Sequence, residues 1–256
     1  MAQESGDRAR RAMAFGSQAA TYARYRPDYP VALLHWGLAG VRNAEDLRVL
    51  DLAAGTGKLT GGLVALGVDV VAVEPDPAML AELIELFPQV TALPGSAENI
   101  PLPDASVHAV FVGQALHWFD LDRALPEIGR VLRPGGCLVA AWNTHDGQVP
   151  WVATMAEMAG TESWQGKQPD PLVDEFGVAL APFGTVEMRL FPHQMPRTVE
   201  SQVQSISTYS RLLTSPPDER AERLAEIRRF LRTNPATADG EFAVPMITTG
   251  LRVTPG

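Results

Sequence analysis

The densest group of residues able to do chemistry is Val49-Leu50-Asp51-Leu52-Ala53-Ala54-Gly55-Thr56-Gly57-Lys58-Leu59-Thr60. An apolar run leads into two glycines, and a helix-forming stretch follows. Glycine lets a backbone approach a ligand where a β-carbon would clash, and the free amides of a helix start then face that ligand. A strand, a glycine loop and a helix start form the general nucleotide-binding device of open α/β sheets. The dinucleotide pattern needs a third glycine where Thr60 stands, and the phosphate loop needs Ser or Thr where Leu59 stands. Both of those patterns are therefore incomplete. The plainer alternative for the loop is a tight turn that merely joins strand to helix. Glu74 adds weight, because it ends the next apolar run, Val71-Ala72-Val73-Glu74. An acid at that place can accept hydrogen bonds from two ribose hydroxyls, whereas a solvated strand-end carboxylate is the plainer alternative.

The remaining reactive side chains narrow the chemistry. Cys137 is the single cysteine, so a disulfide framework and a zinc cluster are excluded, and its apolar setting reads as core. Histidines and carboxylates show no metal-ligand spacing, so no metal is expected. His35, His108 and His193 read as structural. The net charge of −9 argues against nucleic-acid binding through a broad basic surface. Apolar runs such as Val107–Val112 are too short to cross a bilayer. Met1–Arg11 lacks the apolar stretch of a secretory signal, so a cytoplasmic protein without membrane contact is expected.

Positioning these residues requires alternating strands and helices. Strand-like runs fall at Leu47–Leu52, Val68–Val73, Val90–Leu93, Val107–Val112, Cys137–Trp142, Thr185–Phe191 and Phe242–Val253. Helical periodicity falls at Val31–Ala39, Leu59–Leu66, Pro77–Leu86, Leu121–Leu132, Val152–Gly160, Leu172–Ala181, Val199–Thr214 and Pro217–Arg232. Residues 1–20 read as helical, and Tyr22–Pro30 as an extended segment punctuated by Pro27 and Pro30. This alternation predicts an α/β fold with a doubly wound, mostly parallel seven-stranded sheet. The helices between the last two strands exceed a hairpin turn and read as a lid.

The segments Leu50–Gly57, Val73–Met79, Gly95–Glu98 with Ile100–Pro103, and Glu127–Gly136 stand in an order that resembles the class I S-adenosylmethionine-dependent methyltransferases. The resemblance covers residues 47–143 and implies a Rossmann-like domain. Phe15, Tyr22, Tyr25–Pro30 and Gln114–Asp120 further resemble a subgroup similar to trans-aconitate methyltransferases. By this resemblance Ala53, Gly55 and Gly57 line the methionine part of S-adenosylmethionine, and Asp51 supports the loop. Glu74 binds ribose, Pro75 and Met79 flank the adenine, and Ser96 and Ala97 meet its edge; many relatives carry aspartate where this chain has Ser96. Gln114 and His117 lie beside the sulfonium, and Tyr25 and Arg26 close over the cofactor. The implied organisation is an N-terminal segment, residues 1–46, covering the cofactor. The α/β domain follows at 47–256, with lid insertions near 144–180 and 197–235.

The expected function is methyl transfer to a small-molecule acceptor, at a carboxylate or hydroxyl oxygen, releasing S-adenosylhomocysteine. His117 is the candidate base, since a neutral imidazole can take a proton from a hydroxyl; its alternative role is to shape the pocket. His145 is a lesser candidate. Trp142, Trp151 and Trp164 can wall an acceptor or simply pack, and Arg189, Arg197 and Arg211 can receive an anion or sit in solvent. Rival readings are an enzyme that keeps the cofactor for cyclisation or elimination, and a non-catalytic binding module. A nicotinamide-dependent dehydrogenase is a third, disfavoured by Thr60.

Overall fold

A computed structural model describes residues 19–166 and 171–256. Its elements in chain order are α1 (Ala19–Tyr25), α2 (Val31–Leu38), β1 (Arg48–Leu52), α3 (Lys58–Ala65), β2 (Asp69–Glu74), α4 (Pro77–Leu86), β3 (Thr91–Pro94) and β4 (Val107–Gly113). A short 3-10 turn, Leu116–Trp118, precedes α5 (Leu121–Val131). Then come β5 (Leu132–Asp146), α6 (Pro150–Ala159), β6 (Ser163–Trp164), α7 (Pro171–Leu180) and β7 (Gly184–Arg197). The last elements are α8 (Val199–Ser207), α9 (Ser210–Leu213), α10 (Pro217–Thr233) and β8 (Phe242–Pro255).

The strands form one sheet in the order β3-β2-β1-β4-β5-β8-β7, and the short β6 pairs with β5. The seven-stranded expectation is met on the main path, with β6 as an addition. Pairings β1–β2, β1–β4, β2–β3 and β4–β5 are all parallel. Central strands buried on both faces read as continuous apolar runs. Alternation sorts their side chains: Leu50, Leu52, Val71, Val73, Val110 and Val112 join one core. Val49, Val70, Ala109 and Phe111 join the other, under Leu34, Leu38, Leu59 and Leu63 of α2 and α3. Asp51 therefore shares the α3 side. After β1 the chain moves outward to β2 and β3, then returns across β1 to β4. That reversal is the topological switch at which such sheets bind ligands, beyond the carboxyl ends of the strands.

The chain divides into two compact units. One contains described residues 28–142, 171–191 and 248–256, with both cores just named. The other contains 19–27, 143–166 and 192–247. Its own core gathers Val152, Met155 and Ala159 of α6 with Val203 and Ile206 of α8 and Ile227 and Leu231 of α10.

Four elements differ from the sequence expectation. Tyr22–Tyr25 is helical, because proline restricts only the residue before it, and the chain leaves the helix at Arg26. The fifth strand starts at Leu132 rather than Cys137. Leu132 already pairs with Val107, and Arg133–Gly136 forms a register shift in which a β-carbon at Gly136 would lie 2.8 Å from the His108 carbonyl oxygen. β7 runs on past Pro192 and Pro196 to Arg197, which an edge strand tolerates because its outer amides need no partner. The expected helix 199–214 is two helices, broken at Thr208 and Tyr209. The Thr208 hydroxyl donates to the Ser205 carbonyl at 2.6 Å, competing with the helix, and Tyr209 turns extended. Of the readings made for residues 1–20, all but Ala19 and Ala20 lie outside the described residues, as does Phe15.

Among the described residues no helix is long and apolar enough to cross a membrane. No group of three or more His, Cys, Asp or Glu among them is placed to hold a metal ion.

Candidate functional site

The glycine loop is strained and fastened from one side. Ala53, directly after β1, has φ 56°. A non-glycine residue in that region costs on the order of 1–3 kcal/mol and is kept where function needs it. The Ala54 amide donates to the Val73 carbonyl at 3.1 Å, and the Gly55 amide to Glu74 Oε2 at 2.8 Å. Gly57, at φ 86°, precedes α3, and its carbonyl accepts from the Gly61 amide. The two glycines face different surroundings. A β-carbon on Gly57 would lie 2.7 Å from the Phe87 ring, so protein already fills that side. A β-carbon on Gly55, at φ 59°, would meet nothing within 4 Å. Gly55 is therefore the glycine with open space beside it.

Two buried carboxylates frame the loop. Glu74 is 6% exposed. Its Oε2 accepts from Gly55 and its Oε1 from the Asp76 amide at 2.8 Å. Burial raises its pKa, and these two amides oppose the rise. Each oxygen retains a further lone pair, so Glu74 can hold the loop and still accept from a ligand. Asp51 accepts from the Thr60 hydroxyl at 2.6 Å through Oδ2. Burial pushes its pKa up to about 7, against the lowering effect of Thr60. Its Oδ1 is buried without a partner, as is the Thr56 hydroxyl. Unpaired buried polar atoms are uncommon in native structures and call for an explanation such as a ligand or water. Sequence reasoning read Thr60 as a missing glycine and overlooked its hydroxyl as the anchor of Asp51. The nine-residue spacing from Asp51 puts it on the first turn of α3, which was the available signal.

Beside β2, Asp76 caps α4, its carboxylate accepting from Ala78 and Met79 amides at 2.8 and 3.0 Å. Pro75 is exposed and Met79 is buried. After β3, Ser96 is half-buried in a turn closed by the Asn99 amide on its carbonyl. The Ala97 side chain belongs to the core, so only its backbone can face a ligand.

At the end of β4, Gln114 has φ 58° and donates its amide to the Ala141 carbonyl at 2.8 Å. His117 is half-buried in the 3-10 turn, its ring 4.7 Å from that of Trp118. A β-carbon on Gly113 would lie 2.5 Å from the Tyr29 hydroxyl and 2.8 Å from Leu59, so these side chains would have to shift to admit one. Asp28 pairs with Lys58, the first residue of α3, at 2.9 Å. Asp28 and Tyr29 thus join this site, although the Tyr25–Pro30 motif drew attention to its other residues. Asp51, Ala53, Gly55, Gly57, Glu74, Pro75, Met79, Ser96, Ala97, Gln114 and His117 all fall in one unit, at or just beyond the carboxyl ends of β1, β2, β3 and β4.

Tyr25 and Arg26 fall in the other unit. Arg26 donates from Nε and Nη2 to the hydroxyl and carbonyl of Thr208, both at 2.9 Å. Its guanidinium stacks on Tyr22 and Tyr209 at 4.8 and 4.5 Å from the ring centroids. The Tyr25 carbonyl accepts from Arg197 at 2.8 Å. His145 is buried, with Nε2 3.4 Å from the Tyr209 hydroxyl. Burial, and then the nearby Arg26 charge, push its pKa down to about 4, which makes it a weak proton acceptor. Burial pushes Cys137 up to about 11, in keeping with a core thiol. Trp142 is buried and stacks on Phe176, and Trp151 meets Phe242 edge-on. Arg189 lies over Phe191, and Arg211 donates to the Gly160 carbonyl at 3.3 Å.

Residues 50–140 match a family model described as a methyltransferase domain. The chain is 42% identical to an uncharacterized methyltransferase of Mycobacterium tuberculosis, over 94% of this chain and 96% of that one. It is 34% identical to an uncharacterized methyltransferase-like protein of Schizosaccharomyces pombe, over 86% and 87% of the two chains. Among solved structures it is similar to a putative type II methyltransferase from Anaeromyxobacter dehalogenans, with TM-score 0.65, 28% identity, and coverage of 90% and 98%. With this similarity along nearly its whole length, and a glycine loop and β2 carboxylate at the switch point of the sheet, the chain belongs to the class I S-adenosylmethionine-dependent methyltransferases.

Proposed function

We propose that the chain methylates an oxygen, carboxylate or hydroxyl, of a small-molecule acceptor. The observations that carry the cofactor side are the open space beside Gly55 and, in the same unit, the buried Asp51 Oδ1 and Thr56 hydroxyl that have no partner. These residues fit S-adenosylmethionine: main-chain groups of Ala53 and Gly55 for its methionine part, acceptor oxygens of Glu74 for the ribose hydroxyls. Pro75 and Met79 flank the adenine, with the Ser96 hydroxyl and Ala97 backbone at its edge. When bound, the cofactor supplies an electrophilic methyl group on a sulfonium.

The chain's own contribution is chiefly placement, which lowers the barrier by holding donor and acceptor in line. Gln114 and His117, beyond β4, orient the acceptor. With a hydroxyl acceptor, the neutral His117 ring takes the proton; a carboxylate acceptor needs no base. The depressed pKa of His145 argues against it as the base. The similarity of Tyr25–Pro30 and Gln114–Asp120 to the trans-aconitate subgroup favours carboxylates.

The test is incubation with methyl-labelled S-adenosylmethionine and a panel of small carboxylic acids and alcohols. The expected result is acceptor-dependent S-adenosylhomocysteine with label in a base-labile ester or a base-stable ether. Label on nitrogen or carbon would overturn the oxygen assignment. Bound cofactor without any S-adenosylhomocysteine would favour a non-methylating use of the site.

A further inference from the structure

The segment from Gly95 to Asp104 carries Ser96 and Ala97, yet it has little means of ordering itself. Its internal backbone bonds are Asn99 to the Ser96 carbonyl and Leu102 to the Ile100 carbonyl. Pro101 and Pro103 lack amides to add more. Order comes from outside: Ala97 and Ile100 are buried in the core, the Gly95 amide donates to the Glu74 carbonyl at 3.4 Å, and α5 fixes the backbone from Ile100 to Asp104. Glu127 Oε2 accepts from the Ile100 amide at 2.9 Å. Arg130 donates to the carbonyls of Ile100 and Leu102 at 2.9 and 2.8 Å, and to Asp104 at 2.9 Å. Arg130 and Glu127, three residues apart on one helix face, hold each other through Nε–Oε1 at 2.7 Å and Nη2–Oε2 at 2.8 Å. A second tie joins Glu98 Oε1 to the Asp120 amide at 3.0 Å.

We infer that Glu127 and Arg130 are positioning residues which set the 95–104 loop and so determine selectivity for the cofactor's purine. This inference rests on the proposed placement of the adenine edge at Ser96 and Ala97. The ion pair itself is partly exposed and worth little as an attraction. Its directional character matters more. A planar guanidinium presents donors in a fixed fork, so one side chain holds two carbonyls and two carboxylates at once. A lysine keeps the charge and loses the fork. Arg130 holds the Glu127 carboxyl down to about 2, so the pair stays charged throughout the neutral range.

The experiment compares S-adenosylhomocysteine with S-inosylhomocysteine, which differ at the purine 6-position, by titration calorimetry on wild type, Arg130→Met and Arg130→Lys. Amide hydrogen exchange at Ser96–Ile100 is followed without ligand, and a melting curve confirms folding. In both variants, S-adenosylhomocysteine is expected to bind about tenfold more weakly, the preference for it over the inosine analogue to shrink at least threefold, and Ser96–Ile100 exchange to quicken. An unchanged preference with unchanged exchange would overturn the inference, as would full restoration by lysine. If Arg130→Met does not fold, Glu127→Gln is read by the same criteria. Quickened exchange in a protein whose wild type binds neither ligand would instead refute the cofactor site, leaving the clamp on the loop standing.

Discussion

Gly55 and Gly57 stand two positions apart and answer to different constraints, which mutation can separate. Gly57→Ala puts a methyl group 2.7 Å from the Phe87 ring at φ 86°. It should destabilise the fold by about 2–4 kcal/mol in urea titration, from strain and overpacking together, and Phe87→Leu should recover part of the loss. Gly55→Ala, with space around it, should cost about 1–2 kcal/mol through its positive φ alone. Its larger effect should be on affinity for S-adenosylhomocysteine. Two buried titrating groups give opposite pH trends. The Asp51 carboxyl, raised to about 7, binds its proton more tightly folded than unfolded. It therefore favours the folded state as pH falls from 7 towards 4, and disfavours it above 7. His145, lowered to about 4, is protonated more readily unfolded, so its contribution is lost as pH falls from 6.5 towards 4. Asp51→Asn should thus make melting temperature fall more steeply on acidification, and His145→Gln should make it fall less; parallel curves for both variants would refute the assignment. The glycines and Glu74 were legible in the sequence because a strand–loop–helix–strand unit fixes their spacing. Thr60 was not, because hydroxyl-to-carboxylate pairing depends on which face of β1 and α3 meet.

The elements of the sheet half were legible because apolar runs, Asp76-Pro77 and Arg133–Gly136 punctuate them. Elements shaped by one side-chain bond were not. The break after α8 depends on Thr208, which is fully buried, donates to Ser205 and accepts from Arg26. No breaker residue marks Ser205–Ser210, and apolar periodicity runs straight through it. Thr208→Val keeps the shape and removes both bonds. It should destabilise the protein by about 1–3 kcal/mol, because it leaves a charged donor without its acceptor. Urea unfolding measures this; a change under about 0.5 kcal/mol, the ordinary scatter of neutral surface substitutions, would mean the break has another cause. β7 passes its prolines for a reason of position, since only an edge strand can carry them, and edge position is a property of topology rather than of local sequence.

At the scale of the whole chain, the two units differ in how their local structure is written. The glycine-loop unit relies on main-chain groups, strained turns and two buried carboxylates, which stand at the ends of paired strands. Such features follow strand order, so the positions of the loop, Glu74 and the β4 end at the strand ends were legible in the sequence. The unit that holds Arg26 depends on side chains whose partners come from distant segments: Arg26 with Thr208 is separated by 182 residues, and Arg197 with Tyr25 by 172. Arg26, expected to close over the cofactor, has two of its nitrogens engaged by Thr208, which no local pattern announces. In the proposed cofactor site Glu74 is central: its carboxylate accepts from the Gly55 amide and would accept from the ribose hydroxyls. The decisive measurement is calorimetric titration of S-adenosylhomocysteine into wild type and Glu74→Ala. Saturable wild-type binding, weakened in the variant by about 1–3 kcal/mol through lost charged hydrogen bonds, is predicted. Absence of wild-type binding, or equal affinity in a folded variant, would contradict it.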